Sequence, residues 1–175
     1  VAKLTLVPDR AIIGVSGPVG ISQFYADRIT QERNSLRDLR DQEVASRLRL
    51  AFLKDAELTL KVAALARDVV GSAAQSGRMC ETLVAVASNS LSLIRFDYQC
   101  LPEIATDDLP FVAIGSGQTI ADPFLAFLKR VFWQDSLPTL NEGNFAAVWA
   151  LQQAIQTTPG GVGKPIRIAN LQMKG

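Results

Sequence analysis

The stretch from Lys3 to Gly20 most restricts how this chain can fold, because its residue period changes abruptly along it. Leu4-Thr-Leu-Val7 alternates, as a strand with one buried face does. Pro8-Asp9-Arg10 is turn chemistry: proline presets φ and aspartate bonds its own backbone. Ala11-Ile-Ile-Gly-Val-Ser16 is the short apolar run of a strand buried on both faces, and Gly17-Pro18-Val19-Gly20 breaks it. From Ile21 the apolar spacing becomes helical, with Phe24, Tyr25, Ile29, Leu36 and Leu39 assigned to one face. A hairpin feeding directly into a helix is the simplest account.

The rest of the chain continues in the same grammar. A second helix is expected over 41–70, ended by the small residues of Gly71–Gly77, and its broad apolar stripe predicts contact with both a sheet and a neighbour. Glu81–Ala87 and Ser90–Phe96 read as paired strands around a Ser88-Asn89 turn, followed by a short strand and loop over 98–110. Phe111–Ile114 reads as a buried strand running into Gly115-Ser116-Gly117, then a helix over 121–132. Thr139 with Glu142 forms a capping-box pattern opening a helix to about Gln156. A glycine-rich loop over 158–165 precedes a final strand, Ile166–Leu171. The order β-β-α-α-β-β-β-α-α-β predicts an α+β fold of one domain over residues 1–175, with two stacked antiparallel sheets covered by helix pairs.

Composition narrows the chemistry. The chain has no histidine, which removes Ser-His-Asp and Cys-His catalysis and most zinc sites. Cys80 and Cys100 form no CxxC pair and are expected as buried small hydrophobes in a reducing compartment. A net charge of +1 gives no reason to expect nucleic acid or an acidic membrane surface. No apolar run approaches the roughly 20 residues that span a bilayer. The 48% hydrophobic content is high for a monomer and points to apolar surface between subunits.

Three segments together resemble the proteasome β-type and bacterial proteasome-like branch of the N-terminal nucleophile (Ntn) hydrolases. They are Lys3–Gly20 feeding the helix at Ile21, Phe111-Val-Ala-Ile-Gly-Ser-Gly117, and Asn141–Gln156 with Gly160-Gly161 and Ile166-Arg-Ile-Ala169. The resemblance implies a four-layer αββα sandwich and a threonine-type peptidase in a homo-oligomeric ring or stack. It implies no cofactor or metal, a cytoplasmic location, peptide or unfolded protein as substrate, and an ATP-dependent unfoldase as a candidate partner. The family's nucleophile, an N-terminal threonine, would lie roughly thirty residues upstream of Lys3, before Val1; its α-amino group serves as the base.

By the same resemblance, Lys3 is the catalytic lysine that lowers the pKa of that amine, Gly17 gives the oxyanion-hole N–H, and Ser116 bonds the nucleophile's amine. Val15 and Ser16 would line the pocket for the substrate side chain. Each residue also has a plainer account: a solvated lysine, a turn glycine, a helix N-cap serine. The acid that some family members carry before the last strand is absent, since Gln156-Thr157-Thr158-Pro159-Gly160-Gly161 stands there. A non-catalytic structural or gating ring subunit, or an Ntn amidohydrolase acting on small amides, are the alternatives.

Overall fold

The computed structural model describes residues 3–17, 19–70, 80–158, 162–163 and 165–173. The expected helix end at Gly71–Gly77 and the Gly160-Gly161 loop lie outside these, as does the side chain of Ile21. The chain divides into two compact units, one of residues 1–104 with 171–175 and one of residues 105–170.

The first unit holds β1 (Leu4–Val7), β2 (Ala11–Ser16), α1 (Val19–Glu32), α2 (Asp41–Val70), β3 (Glu81–Ala87), β4 (Leu91–Phe96) and β5 (Pro102–Ile104). The strands form one antiparallel sheet in the order β1-β2-β3-β4-β5. Arg10 closes the first turn by donating to the Val7 carbonyl at 3.0 Å, while Asp9 takes φ 58°, a left-handed conformation that aspartate tolerates.

Alternation puts Val7, Ala11, Ile13, Val84, Val86, Ile94 and Phe96 into the core. Against them α1 sets Tyr25 and Ile29, and α2 sets Val44, Leu48 and Phe52. Phe52 stacks on Tyr25 at 4.0 Å between centroids and meets Phe96 edge-on at 4.9 Å. Tyr25 and Phe24 are sequence neighbours, so only one can face the sheet; Tyr25 does, leaving Phe24 57% exposed.

α1 also ends sooner than its apolar pattern suggests. Ser35 folds back on Glu32, its N–H and hydroxyl both donating to that carbonyl, and Leu36 still reaches the core from the turns beyond. Arg28 clamps α1 to α2 through two bonds to Asp55, at 2.7 and 3.2 Å. At the N-terminus of α2, Asp41 accepts hydroxyls from Ser90 and Ser92 at 2.6 and 2.5 Å.

The second unit holds α3 (Gln118–Leu128), a π-helical turn over Lys129–Trp133, and α4 (Leu140–Thr157). The capping box forms as expected: the Thr139 N–H donates to Glu142 at 2.8 Å and the Glu142 N–H to the Thr139 hydroxyl at 3.4 Å. Ala146, Ala150 and Ala154 are buried along α4, and Phe124 of α3 meets Trp149 edge-on at 5.1 Å.

The second sheet expected from the sequence is not formed among the described residues. Phe111–Ile114 and Ile166–Leu171 run as irregular chain. A strand exists only where a neighbour completes its ladder, and neither segment finds one there. The Phe111–Ile114 segment is tethered instead by a side chain, the Ala113 N–H donating to Asp122 of α3 at 2.7 Å.

Candidate functional site

The β1–β2 hairpin assembles most of the expected site by register. Leu4 pairs with Gly14 and Thr5 with Ile13, and the ladder extends one step further, where Val15 donates its N–H to the Lys3 carbonyl at 3.1 Å. Lys3 therefore stands across from Val15, at the open end of the hairpin and exposed to solvent. Val15 is half-buried, packed against the edge of the hydrophobic core.

Ser16 closes β2 opposite Glu81, and the chain then turns at Gly17 before entering α1. Gly17 has φ 134°, a conformation that side chains with a Cβ rarely adopt. Its backbone is exposed, as a donor that a substrate must approach needs to be. A turn glycine and an oxyanion-hole donor are both consistent with this geometry.

Glu81 is the neighbour that sequence reasoning missed. Its carboxylate, 4% exposed, meets Arg95 at 2.7 Å, and Arg95 also reaches Glu103 at 3.3 Å. A charged residue opening an otherwise apolar strand was the one available signal. The pairing of a buried carboxylate with a guanidinium satisfies a charge that burial would otherwise penalise heavily. This ion pair sits across the ladder from Ser16, so it fixes the strand end on which Gly17 hangs.

Ser116 belongs to the second unit. It follows Gly115, which has φ 83°, and precedes Gly117, which is the N-cap of α3. The plainer account of Ser116 as the helix N-cap is thereby set aside. Gly117 is buried where α3 starts against α4: a Cβ there would lie 3.0 Å from Val162 and 3.2 Å from Ala154. The structure thus brings Lys3, Val15, Ser16 and Gly17 together on one hairpin, and places Ser116 at an exposed turn of the other unit.

The two cysteines are buried thiols. Burial pushes both Cys80 and Cys100 upward from the ordinary value, and Tyr25, whose hydroxyl lies 3.4 Å from the Cys100 sulfur, is shifted upward by burial as well. Such groups are poor nucleophiles. Among the described residues, no group of three or more Asp, Glu or Cys side chains is placed to hold a metal ion.

Solved structures match over 94% of this chain. Anbu (ancestral beta-subunit) from Yersinia bercovieri is 18% identical with a TM-score of 0.60, and 68% of its length is covered. The fold is Anbu-like. The helical assembly of the Anbu complex from Pseudomonas aeruginosa gives a TM-score of 0.62 at 18% identity, covering 66% of that chain. An Anbu (Gly-1) mutant from Hyphomicrobium sp. strain MC1 gives 0.62 at 18%, covering 65%. No family model and no curated protein matches the chain.

These findings correct the identification with proteasome β-type subunits. The matching structures are Anbu (ancestral beta-subunit) proteins, and at 18% identity the likeness carries the fold alone. The chain spans about two-thirds of their length. Among the described residues, no helix is long and apolar enough to cross a membrane.

Proposed function

We propose that this chain is a subunit of a self-compartmentalising, homo-oligomeric peptidase of Anbu-like fold, with a threonine-type nucleophile N-terminal to Val1. Lys3 keeps the nucleophile's α-amine unprotonated by its positive charge, so that the amine accepts the hydroxyl proton as the oxygen attacks the scissile carbonyl. The Gly17 N–H receives the oxyanion, and Val15 and Ser16 border the substrate side chain. Unfolded protein, delivered in the cytoplasm by an ATP-dependent unfoldase, is the substrate.

One observation carries the reading: the hairpin register sets Lys3 against Val15, two residues before a glycine at φ 134°. A cation and an approachable backbone donor at one strand end are what an N-terminal nucleophile needs in the absence of histidine. The test is peptide hydrolysis by the purified assembly, wild type against Lys3→Ala. Lys3 is exposed, so its loss leaves folding unchanged; hydrolysis should fall at least about a hundredfold if the lysine acts. Equal rates would remove Lys3 from the chemistry.

A non-catalytic structural subunit is the second reading, and a specific observation favours it. Gln156-Thr157-Thr158 supplies hydroxyls but no acid before the last segment. Absence of any hydrolysis in an intact assembly would select it.

A further inference from the structure

The last rung of β2 sets where the Gly17 N–H points. In an antiparallel ladder the bonding side alternates from residue to residue, and Val15 commits its N–H to Lys3, on the β1 side. Ser16 therefore faces β3, where its partner in the register is Glu81. In that pairing the Ser16 carbonyl accepts from the Glu81 N–H, and it shares one planar, trans peptide unit with the Gly17 N–H. A carbonyl held toward β3 turns the N–H of the same unit the opposite way. The Gly17 donor thus points to the side of β2 on which Lys3 stands.

This rung ends the ladder, and a terminal rung frays unless something holds it. The backbone offers little help here, since β3 begins at Glu81 and β5 is only three residues long. What holds the corner is a row of charges across three strands. Arg95 on β4 donates to Glu81 at 2.7 Å and to Glu103 at 3.3 Å, and Glu103 is its direct partner on β5. The Glu81 side chain is 4% exposed and that of Arg95 21%, so their bond is largely shielded from water. Parting the two would leave a poorly solvated charge alone, which is strongly unfavourable.

We infer that Arg95, by way of Glu81, is a positioning residue for the Gly17 donor. The guanidinium clamps the first residue of β3, and the backbone of that residue fixes the peptide plane from which the donor projects. A donor for a developing oxyanion has to be held within about 0.5 Å of its place. This role rests on the peptidase reading of Gly17, and adds to it a residue two strands away.

The experiment uses the native assembly carrying Arg95→Gln, Glu81→Gln or Arg95→Lys. Glu81→Gln keeps the shape of its side chain, so it decides the matter should Arg95→Gln fail to assemble. In both Gln variants kcat for peptide hydrolysis should fall about tenfold or more while KM stays within about threefold, because the donor acts on the transition state. Arg95→Lys keeps a cation beside Glu81 and should hold kcat within about threefold of wild type. Asp55→Asn is the control: it breaks another 2.7 Å ion pair, that with Arg28 between the helices, and should leave kcat and KM unchanged. Hydrogen–deuterium exchange gives a readout independent of hydrolysis. The Ser16 amide should exchange about tenfold or more faster in the Gln variants, with that of Ile12, on the same side of β2, unchanged.

A wild-type kcat in Glu81→Gln, or equal losses in Glu81→Gln and Asp55→Asn, overturns the positioning role and leaves the peptidase reading in place. Unchanged Ser16 exchange beside a lowered kcat overturns it as well, since the effect would then not pass through the rung. A wild-type assembly that hydrolyses nothing overturns the peptidase reading, and with it any part for Arg95 in the chemistry.

Discussion

Val15 donates its backbone N–H to the carbonyl of Lys3 at 3.1 Å, the last rung of the β1–β2 hairpin. This rung ties the candidate cation to the strand that ends at Gly17. Moving β1 by one residue would send Lys3 to the other face of the sheet and separate it from Val15.

Gly17 and Gly14 are two glycines of one segment with different requirements. Gly17→Ala forces a Cβ onto a backbone at φ 134° and should cost about 1–3 kcal/mol. At Gly14 the added methyl would stand 3.6 Å from Leu4 and 3.8 Å from Leu83, ordinary contact, so Gly14→Ala should be neutral or stabilising by up to about 1 kcal/mol. Urea denaturation of both variants distinguishes them; equal costs would show that Gly17 is not held by its conformation.

Phe52 links both helices to the sheet through two ring contacts and is fully buried. Phe52→Ala should lose about 3–5 kcal/mol, a large share of the stability of any domain of this size. A loss under about 1 kcal/mol in denaturant titration would mean that the core collapses around the void.

How far the sequence disclosed this architecture depends on where the partners of each segment come from. The hairpin, α2 and the Thr139 cap were legible because period 2, period 3.6 and a capping box are local signals. Phe111–Ile114 looked like a strand, but an apolar run reads alike whether a ladder or irregular chain buries it. The helical period alone puts Phe24 and Tyr25 on one face, and only packing against Phe52 decides between them. At the candidate site, Lys3 and Gly17 were visible through their order along the chain. The pair Glu81–Arg95 was not, since fourteen residues and a strand turn separate the partners.

The buried thiols make stability depend on alkaline pH. Burial raises Cys80 and Cys100 above the ordinary 9.0, so the unfolded chain releases these protons first. The stability they protect is complete below pH 9.0 and is lost as pH rises toward the folded values. Tyr25 shifts the same way. The urea midpoint should therefore fall between neutral pH and about pH 10.5, and a thiol reagent should label both cysteines only on unfolding. Rapid native labelling would contradict their burial.

Gly117→Ala probes the second unit by itself. The added methyl would lie 3.0 Å from Val162 and 3.2 Å from Ala154, so α3 must shift from α4. A cost of about 1–3 kcal/mol is expected by thermal or urea denaturation. An unchanged midpoint would show that the loop at Val162 yields freely.

The most direct test of the central claim is N-terminal sequencing with intact mass of the assembled native protein, before and after treatment with a peptide electrophile. A free threonine roughly thirty residues before Lys3 and an adduct confined to that residue are expected. An N-terminus without threonine, serine or cysteine at that distance, or an unmodified mass, would contradict the claim and leave a structural subunit of Anbu-like fold.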